Sequence, residues 1–135
     1  YLGTWYEIAR YDNRFERGLQ EVRAEYRLLA PGRIEVVNSG ADASGCRREA
    51  VGRARPGCRP GQLRVSFFWI FYSDYNVLAL GDDYGWALVG GGSPKYLWIL
   101  SRTPSLPQET LERILKLASD RGYDIDRLLF VDQTR

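Results

Sequence analysis

The stretch Gly3-Thr4-Trp5-Tyr6-Glu7-Ile8-Ala9-Arg10 places a tryptophan two residues after a glycine, at the start of a predicted strand. Near the other end of the chain, the stretch Leu97-Trp98-Ile99-Leu100-Ser101-Arg102-Thr103-Pro104 ends a predicted strand on an arginine. An arginine can lie over a tryptophan ring as a cation–π pair and can donate hydrogen bonds to backbone carbonyls. We therefore expect Trp5 and Arg102 to meet and to close one end of the fold.

Between these two stretches the sequence consists of short runs separated by turn residues, which is typical of antiparallel strands. In one run Val22, Ala24, Tyr26 and Leu28 alternate with arginine and glutamate, the period of a strand with one solvated face. Eight strands are predicted, and they are Trp5–Arg10, Glu21–Leu29, Arg33–Asn38, Arg47–Arg55, Gln62–Phe68, Tyr75–Leu80, Trp86–Gly90 and Tyr96–Ser101.

One amphipathic helix follows the eighth strand. Pro107 near the first turn, with acid close behind, predicts a helix over residues 107–121. Its apolar stripe is formed by Leu111, Ile114, Leu115 and Ala118. Residues 128–131 predict a short ninth strand. We predict a single all-β domain over residues 1–135: an eight-stranded up-and-down antiparallel β-barrel with the helix packed outside.

Composition excludes several classes of function. The 135 residues carry 19 Lys+Arg against 17 Asp+Glu, a near-balance that argues against a nucleic-acid partner. The chain has no histidine, which removes imidazole acid–base chemistry, Ser–His and Cys–His pairs, and the usual imidazole metal sites. We therefore expect no catalytic residue, no metal, no cofactor and no enzymatic activity. No apolar run is long enough for a transmembrane helix.

The two cysteines, Cys46 and Cys58, flank a predicted strand. Nine extended residues span roughly 30 Å, whereas a disulfide needs Cα atoms about 5.5 Å apart. We expect that these two residues are not bonded to each other.

Three motifs together resemble those of lipocalins. Gly3-Thr4-Trp5-Tyr6 is similar to the motif that opens their first strand, and Gly81-Asp82-Asp83-Tyr84 followed by Trp86-Ala87-Leu88-Val89 is similar to their second. Ser101-Arg102 is similar to the third, an arginine that ends the last barrel strand. The motifs occur in order over the whole chain. We interpret their residues as structural, namely Gly3, Trp5, Asp82, Tyr84 and Arg102.

Residues 3–10, 65–68 and 97–104 resemble the bacterial outer-membrane lipocalins and their apolipoprotein D-like relatives more specifically. The resemblance implies a protein that binds and stores or carries a fatty acid or lysophospholipid, with a role in envelope lipid transport or maintenance. It also implies a Gram-negative envelope protein, lipid-anchored in the outer membrane or periplasmic, whose leader precedes Tyr1. Those relatives often have Gly-Pro where Trp69-Ile70 stand here. We therefore expect the open end (the mouth) of this barrel to differ from theirs.

Strand alternation predicts which side chains face inward. The inward set is mostly apolar with a few polar groups, the profile of a pocket for an apolar ligand with a polar head. An inward Glu7 would be paired with a nearby arginine. The alternative to a ligand pocket is that the inward side chains simply fill a closed core. We assign Val22, Leu63, Ala87 and Leu100, near the closed end (the floor) of the barrel, to this core. The predicted ligand-binding residues are Phe15, Tyr26, Val36, Asn38, Val65, Phe67, Asn76, Leu78, Val89, Tyr96 and Trp98.

The aromatic loop at residues 68–72 is too apolar for an ordinary exposed loop. Its residues Trp69, Ile70 and Phe71 are candidates for a lid, a homodimer contact or a contact with a membrane surface, or they fold back onto the barrel. Two other functions stay open: a protein-interaction module that uses this loop, and an isomerase of lipocalin fold.

Overall fold

The computed structural model describes residues 3–11, 20–30, 33–56, 62–67, 71–81, 85–91, 96–131 and 133. Between residues 52 and 76, and at residues 29, 30, 33, 38, 48 and 50, the description is of the backbone. The strands in these ranges are β1 (Gly3–Tyr11), β2 (Gln20–Ala30), β3 (Arg33–Ala41), β4 (Arg47–Pro56), β5 (Gln62–Phe67), β6 (Phe71–Leu80), β7 (Trp86–Gly91), β8 (Leu97–Ser101) and β9 (Leu128–Phe130). Helix α1 (Gln108–Asp120) and a 3₁₀ turn (Ile125–Arg127) lie between β8 and β9.

The strands form one antiparallel sheet that closes on itself. Each strand from β2 to β7 pairs with the next along the chain, β8 pairs with β1, and β1 pairs with β2. β9 adds to the far half of β1, where Ala9 faces Phe130. The predicted up-and-down barrel with an outer helix and a short ninth strand is therefore confirmed. In the part of the chain that is described, no helix is long and apolar enough to cross a membrane.

A β-bulge in β1 decides which of its side chains enter the barrel. Glu7 faces Leu100 of β8, Ala9 faces Ile99, and the pairing shifts between them at Ile8. The extra residue changes the phase of the strand. Ile8, Ala9 and Tyr11 consequently join a cluster on the outside of the wall.

Two apolar clusters lie on opposite sides of the wall. The inner cluster gathers around Trp5, and the outer cluster lies beneath α1, where Ile114 and Ala118 are fully buried. Leu97 and Ile99 of β8 belong to the same outer cluster, so the prediction that the helix packs on the outside of the barrel is confirmed. The helix therefore covers the β7–β8 wall and leaves the barrel interior to the strands.

Several predicted boundaries were wrong. β6 begins at Phe71, so Phe71 and Tyr72 extend a strand that was predicted to start at Tyr75. Pairing with β5, which sets Phe67 opposite Phe71, holds this segment in the sheet. β3 likewise continues past Asn38 to Ala41, because β4 pairs with it along its full length. Cross-strand hydrogen bonds extended these strands beyond the residues where apolar alternation is visible.

Candidate functional site: the barrel interior

Trp5 and Arg102 close the floor of the barrel as predicted. Trp5 is fully buried, and the guanidinium carbon of Arg102 lies 3.8 Å from the centre of its ring. Arg102 Nη1 also donates a hydrogen bond to the Thr4 carbonyl at 3.0 Å. Gly3 has a φ of +103°, and a Cβ there would lie 3.1 Å from Arg102 Nη1. The other two motif residues, Asp82 and Tyr84, lie outside the described residues.

The floor half of the interior is filled along the described wall. The inner cluster comprises Trp5, Ala24, Tyr26, Val36, Ala87, Val89 and Leu100, all of them buried. Tyr26 faces Gly3 across the β1–β2 pair, so it lies at the level of the floor. The structure thus places three of the predicted ligand-binding residues, Tyr26, Val36 and Val89, in a closed cluster. Val22 was wrongly expected near the floor: β2 runs towards the floor, and Val22 precedes Ala24, the partner of Trp5.

A buried ion pair lies further from the floor on β1. Arg10 Nη1 donates to Glu7 Oε1 at 3.2 Å, and the two residues are 0% and 4% exposed. The bulge puts Arg10 on the same inner face as Glu7, since their β8 partners, Trp98 and Leu100, pack against or belong to the inner cluster. The expectation that an inward Glu7 pairs with an arginine is confirmed.

Sequence reasoning missed the position of Arg10. A strict two-residue period from Trp5 runs through Glu7 and Ala9 and sends Arg10 to solvent. Nothing in the residue types from Ile8 to Arg10 marks a bulge. The pairing of β1 with both β8 and β9 is what shifts the register.

Trp98, level with Arg10, and Tyr96, one step nearer the mouth, form a stacked aromatic pair. Their ring centres are 5.8 Å apart and their planes differ by 14°. Both residues are partly exposed, unlike the inner cluster, and Trp98 faces Arg10 across the β1–β8 pair. Gly91 lies beside Tyr96, where a Cβ would come within 2.9 Å of the tyrosine Cβ. These rings contribute partly exposed apolar surface to the inner side of the described wall.

The predicted phase of β6 was wrong. Leu78 packs against the outer cluster beneath α1, not against the interior. Asn76 is paired with Gly90, and a Cβ on Gly90 would meet Tyr123 and Leu78. This register does not favour the inward position predicted for Asn76. It sets Val77 opposite the inward Val89, and a register shift between Val77 and Ala79 accounts for the error.

Three further predicted ligand-binding residues share cross-strand rows with residues of the inner cluster, and the evidence for this is the backbone register. Asn38 faces Ala24 of β2, which belongs to the inner cluster. Phe67 faces Gly52, which in turn faces the inward Val36. Val65 faces Ala54, which in turn faces Ile34, and Ile34 packs against the inner cluster. Phe15, Trp69 and Ile70 lie outside the described residues.

The C-terminal segment closes the wall where β1 and β2 separate. Direct pairing of these strands ends at Tyr6 and Arg23. Beyond that point the amide Nε2 of Gln133 donates to the carbonyls of Glu7 at 2.7 Å and Val22 at 2.8 Å. One side chain thus bridges two strands of the barrel beside the buried ion pair.

Cys46 lies in the turn before β4, where it is exposed and carries a free thiol. Its backbone N–H donates to the Asp42 carboxylate at 3.1 Å, which fixes the turn. Cys58 lies outside the described residues.

A closed antiparallel barrel with a filled floor, an aromatic inner wall and an outer helix defines a small-molecule binding protein of barrel type. The family model described as a lipocalin-like domain matches residues 1–133, and the chain belongs to this family. Its members bind small hydrophobic molecules, and they are in general binding or transport proteins rather than enzymes.

Relatives extend the likeness over almost the whole chain. The outer membrane lipoprotein Blc of Escherichia coli K12 is 46% identical over 136 residues, covering 98% of this chain and 77% of the relative. Mouse (Mus musculus) apolipoprotein D is 32% identical over 146 residues, covering 98% and 75%. Among solved structures, lobster apocrustacyanin A1 aligns with a TM-score of 0.82 at 19% identity, over 99% of this chain and 78% of that one. This last likeness concerns the fold alone.

Proposed function

We propose that the protein binds a fatty acid or lysophospholipid and stores or carries it with the acyl chain inside the barrel. The observation that carries the proposal is the partly exposed Tyr96–Trp98 stack beyond a fully buried floor. Stacked rings offer a rigid apolar surface against which methylene groups pack. The polar head would remain towards water at the mouth, because burying a charged head group without partners is costly.

The proposal also concerns the cellular compartment. The Escherichia coli relative is an outer membrane lipoprotein. We propose that the present protein serves lipid transport or maintenance in a Gram-negative envelope, at the outer membrane or in the periplasm. Fractionation of cells that express the complete gene tests this. Recovery in the membrane or periplasmic fraction supports the proposal, and recovery in the cytoplasm alone rejects it.

Tryptophan fluorescence tests ligand binding directly. Titration with palmitate or palmitoyl-lysophosphatidylcholine is expected to change the emission saturably, chiefly through Trp98. In Trp98→Phe most of the change is lost, whereas Trp86→Phe keeps it, because Trp86 packs against the outer cluster. Displacement of a fluorescent fatty acid checks that both variants still bind. The absence of saturable change and of displacement with either lipid would refute the proposal.

The aromatic residues at the mouth are proposed as a contact for a second copy of the chain or for a membrane surface. The variant Trp69→Ser/Phe71→Ser separates this contact from ligand binding. Loss of a dimer in light scattering, or of co-flotation with lipid vesicles, at unchanged fatty-acid affinity supports the contact. A wild type that is monomeric and does not float with vesicles excludes it.

A further inference from the structure

We infer that the buried Glu7–Arg10 pair is the inner stop of the ligand cavity and sets the longest acyl chain that the barrel takes. This inference rests on the proposed lipid binding and adds a specificity-determining element to it. The pair lies where the character of the described inner wall changes. Trp5, on the floor side, and Leu100, opposite Glu7, are at most 5% exposed, whereas Trp98, opposite Arg10, and Tyr96, on the mouth side, are partly exposed.

Breaking the ion pair costs more free energy than an acyl chain gains by burying a few further methylene groups. Arg10 is fully buried and lies 3.2 Å from the Glu7 carboxylate. Breaking a buried ion pair costs the equivalent of roughly a two-hundred-fold to several-thousand-fold change in an equilibrium constant. One buried methylene raises affinity only about fourfold. A chain would therefore need on the order of four to six further methylenes below this level to offset the loss, and the described residues of the floor cluster are already buried against one another there.

The charges also favour entry of the chain with its methyl end first. Arg10 is already paired with Glu7, and a carboxylate head that approached the pair would meet the Glu7 carboxylate at close range. A methyl terminus that stops against Trp98, directly across from Arg10, leaves the pair intact. The head group then lies at the mouth.

A chain-length series measures the stop. Saturated fatty acids of 12 to 20 carbons compete with a fluorescent fatty acid for the wild type. Affinity is expected to rise about fourfold per methylene up to a limiting length and then to level off. The variant Glu7→Leu/Arg10→Met removes about four non-hydrogen atoms and both charges, and is expected to raise the limit by two or more carbons. The longest acids should then bind about tenfold tighter than to the wild type.

A matched control removes the same residue types outside the barrel. Glu25→Leu/Arg27→Met deletes an ion pair of 3.3 Å on the exposed face of β2 and should leave the limit unchanged. An unchanged limiting chain length in a folded Glu7→Leu/Arg10→Met variant overturns the inference. An equal loss of affinity for acids of every chain length also overturns it, because the pair would then anchor the head group. A wild type that binds neither a fatty acid of any length nor the lysophospholipid refutes the proposed function instead.

A measurement on the intact ion pair keeps the inference testable if the double variant does not fold. Bromine quenches tryptophan fluorescence at short range, so fatty acids brominated near either end report which end approaches Trp98. The measurement uses Trp69→Phe, which removes the tryptophan of the mouth loop. Stronger quenching by the acid brominated near its methyl end supports the inference. Stronger quenching by the acid brominated near its carboxylate overturns it.

Discussion

The burial of the Glu7–Arg10 pair predicts how much the free energy of unfolding falls when either partner is removed. Arg10→Met removes the guanidinium that lies 3.2 Å from the Glu7 carboxylate, and Glu7→Leu removes the carboxylate beside a fully buried guanidinium. Removing one partner of a buried pair costs about 3–5 kcal/mol, because the remaining charge stays in a medium of low polarity. Replacing both partners by apolar residues of similar volume is often neutral. Each single variant should therefore be less stable than the double variant.

The expected change in melting temperature follows from the size of the domain. At about 2.1 cal/mol/K per residue, 135 residues unfold with an entropy of about 0.28 kcal/mol/K, so 3 kcal/mol lowers Tm by about 11 °C. Thermal and urea unfolding of the wild type, both single variants and the double variant give the coupling energy, which is the sum of the two single losses minus the loss in the double variant. It is about 6–10 kcal/mol if each single variant loses about 3–5 kcal/mol and the double variant is neutral.

The exposed Glu25–Arg27 pair supplies the control for this cycle. Its side chains are 34% and 65% exposed, so its coupling should stay below about 1 kcal/mol. Single variants of Glu7 and Arg10 that unfold within 1 kcal/mol of the wild type would refute the reasoning. A double variant as unstable as the sum of the singles would refute it as well.

Three further predictions concern the wall and the floor. Ile114→Ala empties a fully buried position beneath the helix and should cost about 2–5 kcal/mol in urea unfolding; a loss under 1 kcal/mol contradicts this packing. Gly3→Ala and Gly45→Ala both force a side chain into positive φ at about 1–2 kcal/mol, but only Gly3 is also crowded, so Gly3→Ala should lower Tm more; equal shifts would exclude the crowding. Gln133→Ala removes two hydrogen bonds across the seam, which should cost about 1–3 kcal/mol and speed amide exchange near Glu7; unchanged exchange would show that the bridge is dispensable.

The outer face of the barrel was predictable because its signals are local in sequence. The apolar stripe through Ile114 and Ala118 has helical period, and the alternation in β8 sends Leu97 and Ile99 towards it. The contact at the floor was predictable for another reason. Tryptophan and arginine form a chemically specific cation–π pair, and Trp5, near the start of β1, and Arg102, just after β8, lie at the same end of neighbouring strands. Both predictions needed only the period of one element and the order of the strands.

The inner face was less predictable because two bulges change the phase of its strands. The register shift in β6 puts Leu78 beneath the helix and Val77 opposite the inward Val89. The bulge in β1 puts Arg10 inside. A shift of one residue exchanges the two faces of a strand, so alternation counted from one end fails beyond the bulge.

By itself the sequence determined the eight-stranded barrel, its closed floor at Trp5 and Arg102, and the helix outside, because periodicity and residue chemistry act within an element or between neighbouring strands. Only the tertiary structure decided what the interior contains. Whether Tyr26 lines a cavity or fills the floor depends on the level at which β2 meets β1. Whether Arg10 meets water or Glu7 depends on pairing with β8 and β9. Such registers are set by hydrogen bonds between residues far apart in the chain, and no local pattern carries them.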